Sequence, residues 1–183
     1  LGDVYKRQLL STKTRMVSIV HVSNATGVIN DVPQVIDIAK NYNKDIRVLV
    51  DGSQSIVHKL INISALNCDF FVFTGHKLYG PTGVGVLWGR EGLLNAMPPY
   101  QGGGDMIDTV TFDKTTYKQA PARFEAGTPA ILEVIGLGEA IKHINTHKIE
   151  EIALHEAEIA DYAYKKLSEI DCLTILGAKT SRI

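Results

Sequence analysis

The sequence is poor in the residues that staple or anchor a protein. Its two cysteines, Cys68 and Cys172, stand far apart and show no Cys-x-x-Cys spacing. That excludes a disulfide framework and a cysteine-based zinc site. No apolar run approaches the roughly 20 residues that cross a bilayer, and residues 1–8 lack the apolar stretch of a signal peptide. An excess of either charge is missing too: 19 basic against 20 acidic side chains leave a formal net charge of -1. No global field therefore draws the chain to nucleic acid or to an anionic membrane. There is no repeat and no low-complexity segment. What is present, 45% apolar and 21% charged residues over 183 positions, is the balance of an ordinary globular domain. A reducing cytoplasm suits the sparse, unpaired cysteines.

The chain opens without methionine and closes at Thr180-Ser181-Arg182-Ile183, so both ends read as cut. Residues 1–15 are expected to be a foreign or truncated end. Residues 16–148 are expected to form part of a large domain, and residues 149–183 a linking helix with the start of a smaller second domain.

Residues 16–21 (MVSIVH) are apolar and partly β-branched and run into the polar cluster 23–27, which predicts a buried strand and a loop. Apolar residues at Val35, Ile36, Ile38 and Ala39, with Pro33 suited to a first turn, predict a helix over 33–42. Further strands are expected over 46–50, 68–74 and 84–88, the last reached through Gly80-Pro81-Thr82-Gly83. Helices are expected over 133–145 and 149–170. The second is long and amphipathic, with Glu150, Glu156, Glu158, Lys165 and Lys166 on its wet side, and residues 173–176 are expected to begin another strand. Strands of continuous apolar character interleaved with a helix predict an α/β fold with a mostly parallel sheet and flanking helices. In such sheets ligands gather at the carboxyl ends of the strands. Asn24, Asp51, Thr74, His76 and Lys77 all fall there.

Singly, each of these residues has an ordinary explanation. A lysine at a strand end is usually solvated, although an apolar setting that lowers its pKa frees the amine for imine formation. His76 alone reads as a structural hydrogen-bonding histidine. Asp51-Gly52 alone reads as a turn starter, yet a carboxylate there is also suited to hold a pyridinium nitrogen protonated. No second carboxylate stands at ligand spacing to Asp51, so no metal site is expected. Gly80-Pro81-Thr82-Gly83-Val84-Gly85 lacks the Lys-Ser/Thr of a nucleotide loop and opens a strand rather than a helix. It reads as a tight turn that holds Lys77 at a fixed height.

Together, Val50-Asp51-Gly52-Ser53-Gln54 and the run from Cys68 to Gly83 (CDFFVFTGHKLYGPTG) resemble the cofactor-binding core of class V, fold-type I enzymes dependent on pyridoxal 5′-phosphate (PLP). Gly102-Gly103-Gly104-Asp105-Met106-Ile107, Arg123-Phe124-Glu125-Ala126-Gly127-Thr128-Pro129 and His21-Val22-Ser23-Asn24 are similar to the Suf-type (group II) cysteine desulfurases. The resemblance spans about residues 17–167. It implies an incomplete fold-type I large domain in which Lys77 carries PLP as a Schiff base and moves the substrate proton. It further implies that Asp51 pairs with the pyridinium nitrogen and that Gln54 bonds the phenolic oxygen. Thr74 (serine is usual in the family) and His76 would donate to the phosphate. Asn24 would lie near the ring and the substrate carboxylate, and Thr128 would reach the phosphate of a second subunit in a homodimer. Arg123 and Glu125 are expected to brace their segment. The implied reaction converts L-cysteine (or selenocysteine) and passes sulfur, through an enzyme persulfide, to an acceptor protein for iron–sulfur cluster assembly. The family's ring-stacking histidine, persulfide cysteine and carboxylate-binding arginine match no residue of this sequence. Cys68, inside an apolar strand, is expected to be buried, and neither cysteine fits the nucleophile. Other class V relatives (an aminotransferase, an epimerase, a selenocysteine lyase) and a non-catalytic remnant are the alternatives.

Overall fold

Four strands form the centre of the structure, a computed structural model that describes residues 7–177. They are β1 (Met16–Val20), β2 (Arg47–Asp51), β3 (Phe70–Thr74) and β4 (Gly85–Gly89), side by side in that order. β1, β2 and β3 are parallel, and β4 runs antiparallel to β3. The connections explain the change of direction. Helix α1 (Val32–Tyr42) bridges β1 to β2, and two short helices, α2 (Ser55–His58) and α3 (Ile63–Leu66), bridge β2 to β3. Between β3 and β4 lie only a 3-10 turn (Gly75–Leu78) and the Gly/Pro loop, too short for a parallel crossover.

Helix α1 forms where the apolar spacing predicts it, one residue earlier at Val32. The Asp31 side chain caps it by accepting the Gln34 N–H at 3.0 Å, and Pro33 sits in the first turn. Its buried face, Val32, Ile36 and Ala39, packs on Val48 and Val50 of β2 and on Cys68 and Phe71. Beneath this core the buried Asp69 carboxylate accepts the Val48 N–H at 2.8 Å and Lys40 Nζ at 2.7 Å, with Arg90 at 3.6 Å. Those partners offset the desolvation of a buried charge.

Beyond β4 come α4 (Glu91–Ala96), a two-stranded antiparallel pair β5 (Ile107–Val110) and β6 (Thr115–Tyr117), and a 3-10 turn (Ala122–Phe124). The long helices α5 (Ile131–His147) and α6 (Ile149–Ser168) follow. Leu137 and Ile144 of α5 join Val57 and Leu78 in a second cluster under β3 and β4. No helix among the described residues is long and apolar enough to cross a membrane.

One expectation is corrected. Residues 173–176 form no strand; Leu173 and Leu176 are exposed, and so short a segment with no neighbouring strand has no ladder to join. Glu156, partly exposed, has its Oε2 2.8 Å from His58 Nδ1 and helps attach α6 to α2. The β5–β6 pair and the short helices α2, α3 and α4 were not foreseen, because segments of three to six residues are too brief to display a period.

Candidate active site

Because β1, β2 and β3 are parallel, their carboxyl ends lie along one edge. There Asp51 closes β2 and Thr74 closes β3. The edge is laced beyond the strands themselves. The His21 N–H donates to the Asp51 carbonyl at 2.8 Å, and the Gly52 N–H to the Val72 carbonyl at 2.8 Å. Gly52 is required at its position: a Cβ there would lie 1.9 Å from Phe71 Cζ. Asp51-Gly52 is thus more than a turn starter, since it turns the chain directly over a buried ring.

Asp51 is half-buried. Its Oδ1 accepts the Ser53 N–H at 2.9 Å, and no described donor reaches Oδ2. Gln54, also half-buried, precedes α2 without capping it. Ser55 Oγ donates to the Gly52 carbonyl at 3.2 Å, which ties the start of α2 to the strand end. On β3, Thr74 Oγ1 and His76 Nδ1 are 2.7 Å apart. If the hydroxyl donates, the other ring nitrogen is left as an outward N–H; if the ring donates, the hydroxyl is left to point outward. Lys77 follows in the 3-10 turn, half-buried, and its amine meets no carboxylate or carbonyl among the described residues. Asn24 stands exposed at the tip of the 23–27 turn, which Ser23 Oγ organises by accepting the N–H groups of Ala25 and Thr26.

Thr128 lies on a different segment of the chain. It follows Gly127 (φ +83°), whose N–H donates to the Gly104 carbonyl at 2.9 Å, so the Gly-Thr-Pro and Gly-Gly-Gly segments are one unit. Arg123 braces the same region by donating to the carbonyls of Asn95 (2.7 Å), Lys118 (2.9 Å) and Met97 (3.1 Å). Glu125 is exposed.

One further feature escapes sequence reasoning. His21 is buried, 7% exposed, and its Nδ1 has no hydrogen-bond partner among the described residues. Burial, and behind it the charge of Lys59, holds this imidazole below its ordinary pKa range. Only its place at the end of an apolar run hinted at burial. Cys68 is fully buried, and desolvation pushes its thiol pKa up, whereas Cys172 is exposed.

The aminotransferase class-V family profile matches residues 4–183. The chain belongs to that family. Among class V relatives, the curated cysteine desulfurase of Enterobacter sp. (strain 638) is 48% identical over 170 residues, covering 92% of this chain and 41% of the relative. Among solved structures, the cysteine desulfurase CsdA of Escherichia coli superposes with a TM-score of 0.86 at 37% identity, over 92% of this chain and 42% of that one. The lyase C-DES, solved with glycine covalently linked to its PLP cofactor, superposes with a TM-score of 0.82 at 27% identity, over 93% of this chain and 46% of that one. The chain therefore spans about two-fifths of the length of these relatives, and its α/β sheet is the fold-type I arrangement of class V enzymes.

Proposed function

We propose that the chain is the central, cofactor-binding part of a PLP-dependent cysteine desulfurase of the Suf type. Such an enzyme converts L-cysteine to L-alanine and passes the sulfur as a persulfide to an acceptor protein for iron–sulfur cluster assembly. What supports the reading is that Lys77, half-buried and with no anionic partner among the described residues, lies at the same sheet edge as an Asp51 oxygen that no described donor reaches. The likeness to proteins named cysteine desulfurase points to the reaction.

The residues fit PLP chemically. Asp51 Oδ2 is free to hold a proton on a pyridine nitrogen, and the Thr74–His76 pair offers an outward donor to a phosphate in either hydrogen-bond arrangement. Bound PLP supplies an electron sink that acidifies the substrate Cα–H. Lys77 Nζ would hold the cofactor, then take the Cα proton and return it as general base and acid. Gln54 would donate to the phenolic oxygen, and Asn24 would orient the substrate carboxylate. Thr128, by the family resemblance, would serve the phosphate of the second subunit of a homodimer. In this reading residues 16–148 belong to the cofactor domain and 149–183 link it to a smaller one; residues 178–183 and 1–6 lie outside the described residues. A cytoplasmic setting suits two unpaired cysteines.

The test is product analysis in the complete enzyme. With an added thiol reductant that releases the persulfide sulfur as sulfide, L-cysteine should give alanine and sulfide in equal amounts, and Lys77→Ala should lower both by more than about a hundredfold. Alanine formation that survives Lys77→Ala refutes the assignment.

A further inference from the structure

The Gly/Pro loop after Lys77 packs against helix α5 as well as joining two strands. The Pro81 ring rests on Gly136 in the middle of α5: a Cβ on Gly136 would stand 3.1 Å from Pro81 Cγ and 3.2 Å from Cδ. One residue on each side, Gly80 meets Leu137: a Cβ on Gly80 would lie 3.0 Å from Leu137 Cδ1 and 2.9 Å from the Gly75 carbonyl oxygen. Gly75 in turn opens the turn that holds Lys77. Its N–H donates to the Val84 carbonyl at 2.9 Å, and its carbonyl accepts the Gly80 N–H at 3.0 Å. A Cβ on Gly75 would strike Val84 Cγ1 at 2.7 Å. The turn closes on Tyr79 in a left-handed conformation, φ +58°, which an L residue adopts only when its surroundings fix it. Leu78, buried with Leu137 and Ile144, pins the turn from below.

Pro81 thus lies against α5 at Gly136 and directly follows the turn that carries Lys77. Glycine inside a helix is disfavoured relative to alanine; at 136, unlike at 138, the seat for Pro81 offsets that cost. We infer that Gly136 is a positioning residue for Lys77: by lacking a side chain it lets α5 set the height of the lysine turn over the sheet edge. The inference rests on the reading of Lys77 as the group that holds the cofactor. Adding a Cβ at 136 displaces Pro81 by a few tenths of an ångström. Scaled from roughly a hundredfold loss per ångström of misplacement, that corresponds to about a fourfold slower reaction at the Lys77 amine.

The measurement is made on the complete protein, stripped of cofactor and mixed with pyridoxal phosphate. The Lys77 nitrogen bonds to the aldehyde carbon as one water leaves, and borohydride traps the product. Affinity for pyridoxamine phosphate, which has no aldehyde, is measured alongside. Gly136→Ala should slow capture about fourfold while pyridoxamine phosphate binds as before. Gly138→Ala, two residues along the same helix where a Cβ meets nothing within 4 Å, should leave the capture rate unchanged. Pro81→Ala should slow capture by loosening the turn, and combining it with Gly136→Ala should restore the rate, because the new Cβ fills the place of the ring. Unchanged capture in Gly136→Ala, a parallel loss of pyridoxamine phosphate affinity, or no rescue in the double variant would each overturn the inference. Should Gly136→Ala fail to fold, Pro81→Ala alone decides it: normal capture there overturns it. No capture by the unaltered protein would instead remove the reading of Lys77, and this inference with it.

Discussion

At the scale of single residues, the site is defined by which polar atoms are satisfied and which are not. Asp51 Oδ1 is occupied by the Ser53 N–H, so Asp51→Ala should cost both a turn contact and the proposed partner of the pyridine nitrogen. Weaker PLP retention, measured by dialysis of the complete enzyme, is the expected outcome, and unchanged retention would take Asp51 out of the site. His21 makes a prediction about pH. Burial and Lys59 depress its folded-state pKa. As pH falls below the unfolded value of about 6.5, the unfolded chain binds a proton that the folded chain resists. The stability linked to His21 is therefore whole above that pH and is lost on acidification. In His21→Gln the drop in denaturation midpoint between about pH 7.5 and pH 5.5 should shrink relative to the unaltered protein; an equal drop would assign the titration to another group. The two cysteines should separate by reactivity. With a buried thiol whose pKa is raised, Cys68 should resist alkylation in the native protein, whereas exposed Cys172 should react at once.

At the scale of elements, the strand ends carry the candidate site residues, and their legibility in the sequence followed from period and punctuation. The apolar runs ending on Asp51-Gly52 and Gly75-His76-Lys77 marked β2 and β3 and, with them, the edge where the site residues gather. Helix α1 was legible because its apolar spacing agrees with Pro33 as a first-turn residue. The antiparallel direction of β4 was not, since an apolar strand looks alike in both directions and only the length of its connection decides. Gly52 looked like a turn residue because the ring it must clear, Phe71, lies on another strand. Gly136 gave no sign either, for its contact with Pro81 joins segments far apart in sequence. Gly52→Ala should destabilise the protein by about 1–3 kcal/mol or more through overpacking against Phe71, read as a lowered denaturation midpoint. Asp69→Ala, which strips a buried acceptor from Lys40 and the Val48 N–H, should cost about 3–5 kcal/mol. A change within experimental error in either variant would contradict the packing described.

At the scale of the whole molecule, the chain spans about two-fifths of the length of the relatives it matches. Helix α6 has no buried residue and leaves Leu154, Ile159 and Tyr162 exposed. Its attachment depends on a few contacts, the His58–Glu156 pair among them. The central claim, that Lys77 is the residue that holds PLP, admits one direct measurement. The complete protein is incubated with pyridoxal phosphate, reduced with borohydride, digested and mapped by mass spectrometry. The account predicts a single stoichiometric pyridoxyl adduct on the peptide containing Lys77. An adduct spread over surface lysines, or one concentrated on any other lysine, would contradict it.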